Sequence, residues 1–97
     1  MDRSTGLLVT ARSLTRVVVT GELDVATAPR LAVLLAEPAA VEIDLAGVSF
    51  VDASGLTVLV AAREARGRDR LRLVTPSTAV TRILELSGEL GAFSVWA

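Results

Sequence analysis

Apolar and polar positions alternate with period two at the start of the chain. Leu7, Val9 and Ala11, then Val17 and Val19, have the spacing of two strands, and the link "RSLT" is short enough for a hairpin. "TGELDVAT" interrupts the alternation with Gly21 and two acids and reads as a loop. Thr27 followed by Pro29 marks a helix start, because proline in the first turn forfeits no intrahelical bond and its φ is already helical. That helix covers "APRLAVLLAE", with Leu31, Leu34 and Leu35 at core spacing, and stops before Pro38. "AVEIDLAG" alternates Val41, Ile43 and Leu45 against Glu42 and Asp44, a strand with one face inward that leads into a turn at "FVDASGL". Leu56, Leu59, Val60 and Arg63 then recur at helical spacing, and "TVLVAA" is apolar nearly all round, as in a helix pressed on a sheet, with Gly67 as its stop. "LRLVT" reads as a strand. "PSTAVTRILELSG" reads as a helix capped by Ser77 and ended by Gly88, with Val80, Ile83 and Leu84 inward, and "FSVW" is a last short strand.

The order β-β-α-β-α-β-α-β predicts an α/β fold: a single, mostly parallel β-sheet with an antiparallel N-terminal hairpin strand, packed by helices on right-handed crossovers. With 97 residues there is room for one domain, spanning 1–97, and no internal repeat or linker divides it. Hydrophobic residues make up 52% but aromatic residues only 3%, so the core is aliphatic.

Composition removes most catalytic chemistry. The chain has no cysteine and no histidine, which excludes disulfides, thiol nucleophiles, Ser-His-Asp triads and most zinc sites. All ten basic residues are arginine, so there is no Walker or Schiff-base lysine either. A non-enzymatic protein without metal or cofactor is the expectation. The N-terminal apolar stretch is too short for a signal-peptide core, and the longest apolar runs fall far below the ~18 residues of a membrane helix, which points to a cytoplasmic protein away from the membrane. A formal net charge of −1 gives no global field for nucleic acid. The local run "REARGRDRLR" reads as a solvated helix end whose cations complement the C-terminal dipole, since no stacking aromatic accompanies it.

Ser54 stands at a helix entrance, and two readings of it stay open. It could be the N-cap, accepting an orphan backbone N–H. On spacing alone the cap is the commoner role; the other reading is a phosphoacceptor, because a phosphate there meets the positive end of the helix dipole, and Gly55 beside it would let another protein's active site approach. A nucleophile is disfavoured: "DASGL" is not G-x-S-x-G, and no histidine base exists. Asp24 and Asp52 precede helices, where acids commonly serve the dipole. Ser49 is a weaker second acceptor, and Thr57, one turn into the helix, reads as structural.

Three segments, "VTGELDVATAPRL", "VEIDLAGVSFVDASGLTVLVAAREAR" and "LRLVTPSTAVTRILELSG", in this order resemble the STAS domain of bacterial anti-sigma factor antagonists. The resemblance extends from about Leu7 to Trp96, and its most specific part is the acid-x-Ser-Gly-Leu turn backed by the upstream "GELD" loop. It implies that Ser54 is phosphorylated by an anti-sigma factor serine kinase, which would supply the ATP, and dephosphorylated by a phosphatase. The unphosphorylated form would capture the anti-sigma factor and free a sigma factor. The surface so implied comprises Asp24, Asp52, Ala53, Ser54, Gly55 and Leu56. A scaffold subunit of a stress-signalling complex and an accessory STAS subunit of a transporter are the alternatives within the same resemblance. Members of the family usually continue past the last strand into another helix, whereas this sequence stops at Ala97. The expectation is an apolar surface around Phe93 and Trp96 that supports a weak homodimer.

Overall fold

The computed structural model describes residues 8–12, 15–36, 42–67 and 70–96. Five strands, β1 (Leu8–Arg12), β2 (Arg16–Leu23), β3 (Glu42–Val51), β4 (Arg72–Val74) and β5 (Ser94–Trp96), lie side by side in chain order. β1 pairs antiparallel with β2, and every later pair is parallel. The helices α1 (Ala28–Leu35), α2 (Ala53–Arg66) and α3 (Thr78–Ser87) fill the three crossovers, and a short 3-10 turn at Leu90–Ala92 precedes β5. The α/β class and the element order read from the sequence are those observed. The linking residues Ser13, Leu14 and Pro38, and Leu7 and Val41 of the predicted strands, lie outside the described residues.

Each crossover steps to the next strand in the same direction. Right-handed connections are the near-universal rule, so stepping in one direction deposits all three helices on one face of the sheet. The buried residues accordingly form one cluster: Val17, Val19 and Leu23 of β2, Ile43, Leu45, Val48 and Val51 of β3 and Leu73 of β4 face Leu31, Leu35, Leu59, Val80 and Leu84 of the helices. Among the described residues the opposite face carries charge instead of a second helical layer. Glu42 accepts from Arg16 Nε at 3.1 Å and from Arg72 Nη1 at 2.9 Å, and the Arg72 guanidinium lies 5.2 Å from the centre of the Trp96 ring.

Two boundaries differ from the sequence reading, for one reason. Gly21–Leu23, expected in a loop, belong to β2, and β3 runs on past Gly47 to Val51. Register shifts between Val18 and Thr20 and between Gly21 and Glu22 let β3 carry extra residues against β2. Its inward positions after Leu45 are therefore Val48 and Val51, three apart, and the period-two signal disappears while the strand continues. Gly21 adopts φ 98° at the second shift, a conformation that favours glycine.

The expected apolar surface around Phe93 and Trp96 is found only in part: Val95 and Trp96 are exposed, whereas Phe93 is covered. Phe93 is only 3% exposed, tucked under the Arg63 guanidinium at 4.8 Å, and Arg63 is itself held by Glu89 at 2.6 Å. Trp96 is exposed but faces Arg72, and its indole N–H donates to Ser94 Oγ at 3.1 Å.

Candidate functional site

The ends of β2 and β3 set the site. Leu23 and Val51 are register partners, and the Asp52 N–H donates to the Leu23 carbonyl at 3.2 Å. Asp24 and Asp52, the next residues on their strands, therefore leave the sheet side by side.

After Leu23 the chain makes a tight turn built on side-chain oxygens. Asp24 Oδ1 accepts from the N–H groups of Ala26 and Thr27 at 3.0 and 3.1 Å. The buried Thr27 hydroxyl donates to the Glu22 carbonyl at 2.8 Å and accepts from the Asp24 N–H at 2.9 Å. Thr27 thus secures the turn instead of capping α1, whose first turn relies on Pro29. At the tip, Val25 is held out to solvent at 74% exposure. No sequence period singled it out; the only available signal was an apolar residue between acid and turn residues in "ELDVAT".

After Val51 the chain enters α2, and the cap is Asp52. Its Oδ1 accepts from the N–H of Ser54 at 2.9 Å and of Gly55 at 3.3 Å, the pattern of an acidic N-cap. Ser54 is the second residue of the helix, so its reading as the cap is overturned. Asp52 sits where both unsatisfied amides converge, and an aspartate outranks a residue already inside the first turn. The Ser54 hydroxyl has no hydrogen-bond partner among the described residues.

The neighbouring hydroxyls are engaged. Thr57 Oγ1 donates to the Ala53 carbonyl at 2.8 Å, and Ser49 Oγ donates to the Gly21 carbonyl at 3.3 Å. Gly55 points inward. A Cβ on it would stand 2.5 Å from Leu23 Cγ and 2.9 Å from Val51 Cγ2, so the missing side chain serves close packing of α2 on the sheet rather than access from outside. Leu56 packs partly against the core and Ala53 is exposed. The six residues singled out from the sequence thus fall into one patch with an outer layer, Asp24, Asp52, Ala53 and Ser54, and an inner support, Gly55 and Leu56. Neither Asp24 nor Asp52 forms an ion pair among the described residues.

Residues 8–90 match the family described as "Mlab, STAS domain". A crystal structure of an anti-sigma factor antagonist from Mycobacterium paratuberculosis is similar at 31% identity and a TM-score of 0.74, with 93% of this chain and 83% of that one covered. The chain is a STAS domain of the anti-sigma factor antagonist family. SpoIIAA in its unphosphorylated form shares the fold at 22% identity and a TM-score of 0.61, over 94% of this STAS domain and 88% of that chain. The Bacillus cell-fate determinant SpoIIAA in its phosphorylated form does so at 18% identity and a TM-score of 0.61, over 94% and 91%. No curated protein matches this STAS domain. Among its described residues no helix is long and apolar enough to cross a membrane.

Proposed function

We propose that this STAS domain is a phosphorylation-switched, non-enzymatic antagonist of an anti-sigma factor that is itself a serine kinase. In the unphosphorylated state the patch around Ser54 captures the kinase in the cytoplasm and releases a sigma factor. Transfer of the ATP γ-phosphoryl group to the Ser54 hydroxyl ends the capture, and a phosphatase restores it.

One observation carries this reading: of the three hydroxyls at the turn, only that of Ser54 is unengaged, and it stands on the first turn of α2 beside two carboxylates. A free hydroxyl can be turned toward an incoming phosphoryl group without first breaking a bond. Once phosphorylated it adds about −1.5 to −2 charges next to Asp24 and Asp52, neither of which has a cationic partner among the described residues to offset it. In a closely packed interface that charge is both bulky and repelled. Each ~1.4 kcal/mol lost there weakens binding tenfold. Asp24, Asp52 and Ala53 form the surrounding contact surface, with Val25 as an apolar anchor on its rigid turn.

Incubation with the candidate anti-sigma kinases and ATP, followed by mass mapping, tests the proposal. One phosphate on Ser54, absent from Ser54→Ala, is expected; phosphate mainly at Ser49 or Thr57 would overturn it.

A further inference from the structure

A second surface lies on the other side of β3. β4 pairs only with Glu42, Ile43 and Asp44, so the rest of β3 has no strand neighbour on that side. There α3 runs alongside it, and the sole backbone bond beyond the ladder on that side among the described residues is from the Ser77 N–H to the Leu45 carbonyl. Between the two lies a mainly apolar groove of about 300 Å³, walled by Phe50 on the strand and by Ala79, Arg82, Ile83 and Leu86 on the helix. Phe50 is 48% and Leu86 81% exposed, whereas Val80 and Leu84 on the other side of the same helix are fully buried.

The outward face of α3 is self-complementary. Ala79, Arg82 and Leu86 follow one another at three- and four-residue spacing, so they lie along one line, with Glu85 beside it. Arg82 and Glu85 are exposed, and neither forms an ion pair or side-chain hydrogen bond among the described residues. The line pairs a small residue at one end with a large one at the other, and with Glu85 beside it the face carries one charge of each sign. Laid antiparallel against itself across a two-fold axis, it brings each Arg82 to the partner's Glu85 and each Leu86 over the groove beside the partner's Ala79 and Phe50. That is the reciprocity an isologous contact requires.

We infer that the groove between β3 and α3 is occupied by α3 of a second copy of this chain, forming a two-fold dimer. A helix of ten residues offers a contact below the roughly 1,200 Å² of stable interfaces, so the dimer is weak and populated at high concentration. It relocates self-association from the Trp96 edge to α3 and does not depend on phosphorylation of Ser54.

Sedimentation equilibrium of the intact chain between about 10 µM and about 1 mM provides the test. The expected result is a mass-average weight that climbs toward the dimer. Leu86→Glu should hold the protein monomeric throughout, with an unchanged melting curve because Leu86 is a surface residue. Arg82→Glu and Glu85→Arg should each weaken association about tenfold, and the two together should restore most of it. A strict monomer at the highest concentration would assign the groove to another occupant and overturn the proposal. So would a dimer indifferent to Leu86→Glu, or charge reversals whose effects simply add.

Discussion

Asp52 Oδ1 holds the Ser54 amide at 2.9 Å while the Ser54 hydroxyl, on the same residue, has no partner among the described residues. Capping falls to Asp52, which leaves the Ser54 hydroxyl available for the proposed modification. A serine that capped its own helix would have to surrender that bond on phosphorylation.

This division predicts an inversion of the usual alanine result. Asp52→Ala should cost about 1 kcal/mol, within the range of roughly 0.5–2 for a lost N-cap, and Asp52→Asn less, since its amide oxygen still accepts. Ser54→Ala should stay within about 0.5 kcal/mol of the wild type, as surface changes away from such features do. Denaturant melts of the three variants check the ranking, and a larger loss for Ser54→Ala than for Asp52→Ala would contradict the assignment of the cap.

Ser54→Asp should weaken capture of the anti-sigma kinase about tenfold, or ~1.4 kcal/mol, with little change in melting temperature. The acid occupies the second helical position, where the dipole favours it, and this offsets repulsion from Asp52. Titration calorimetry against the kinase alongside a thermal melt separates the two effects. Unchanged binding would remove charge at this turn as the switch, and a large fall in melting temperature would make the effect one of folding.

Gly55→Ala should destabilise the protein by about 1–3 kcal/mol, the cost of overpacking. The new Cβ would collide with Leu23 Cγ at 2.5 Å, and Leu23 is fully buried with nowhere to swing. Trimming Leu23 to Ala in the Gly55→Ala background should lower the cost of adding the methyl. Additive penalties in the double mutant would show that the methyl is accommodated some other way.

Glu42 supplies the pH dependence. The hydrogen bond from Arg16 first, then the charge of Arg16 and the hydrogen bond and charge of Arg72, hold its carboxyl below the usual range against an opposing effect of burial. A carboxyl whose folded pKa lies below its unfolded one, near 4.3, stabilises the fold above the unfolded value and loses that contribution as pH falls through the folded one. The wild type should therefore lose melting temperature between about pH 5 and about pH 3 more steeply than Glu42→Gln. Parallel slopes would show that the Arg16–Glu42–Arg72 row contributes nothing.

The sequence disclosed those parts of the fold in which one chemical period governs one element. Ser77 caps α3 by accepting the Val80 N–H at 3.2 Å, Gly88 ends it at φ 77°, and Gly67 ends α2 at φ 93°, all as their local patterns imply. The second half of β3 was not legible, because its register depends on the shifts against β2 and pairing between distant segments leaves no local trace. The site was legible as a set of residues, since a motif names positions. It was not legible as a division of labour: the choice between Asp52 and Ser54 as cap turns on where the helix begins, which is settled by Leu23 and Val51 meeting where β2 and β3 end. The inward aim of Gly55 follows from that same meeting.

Both ends of α2 are tied down. At its start Asp52 binds the sheet through the Leu23 carbonyl. Toward its end Arg63 reaches Glu89 and the Phe93 ring, and Arg66 donates to the Leu35 carbonyl at the close of α1. A helix clamped in this way cannot act as a lever. Under the proposed function, a phosphate written on its first turn would stay there as a label, legible to a molecule that touches it, by contact and not by motion.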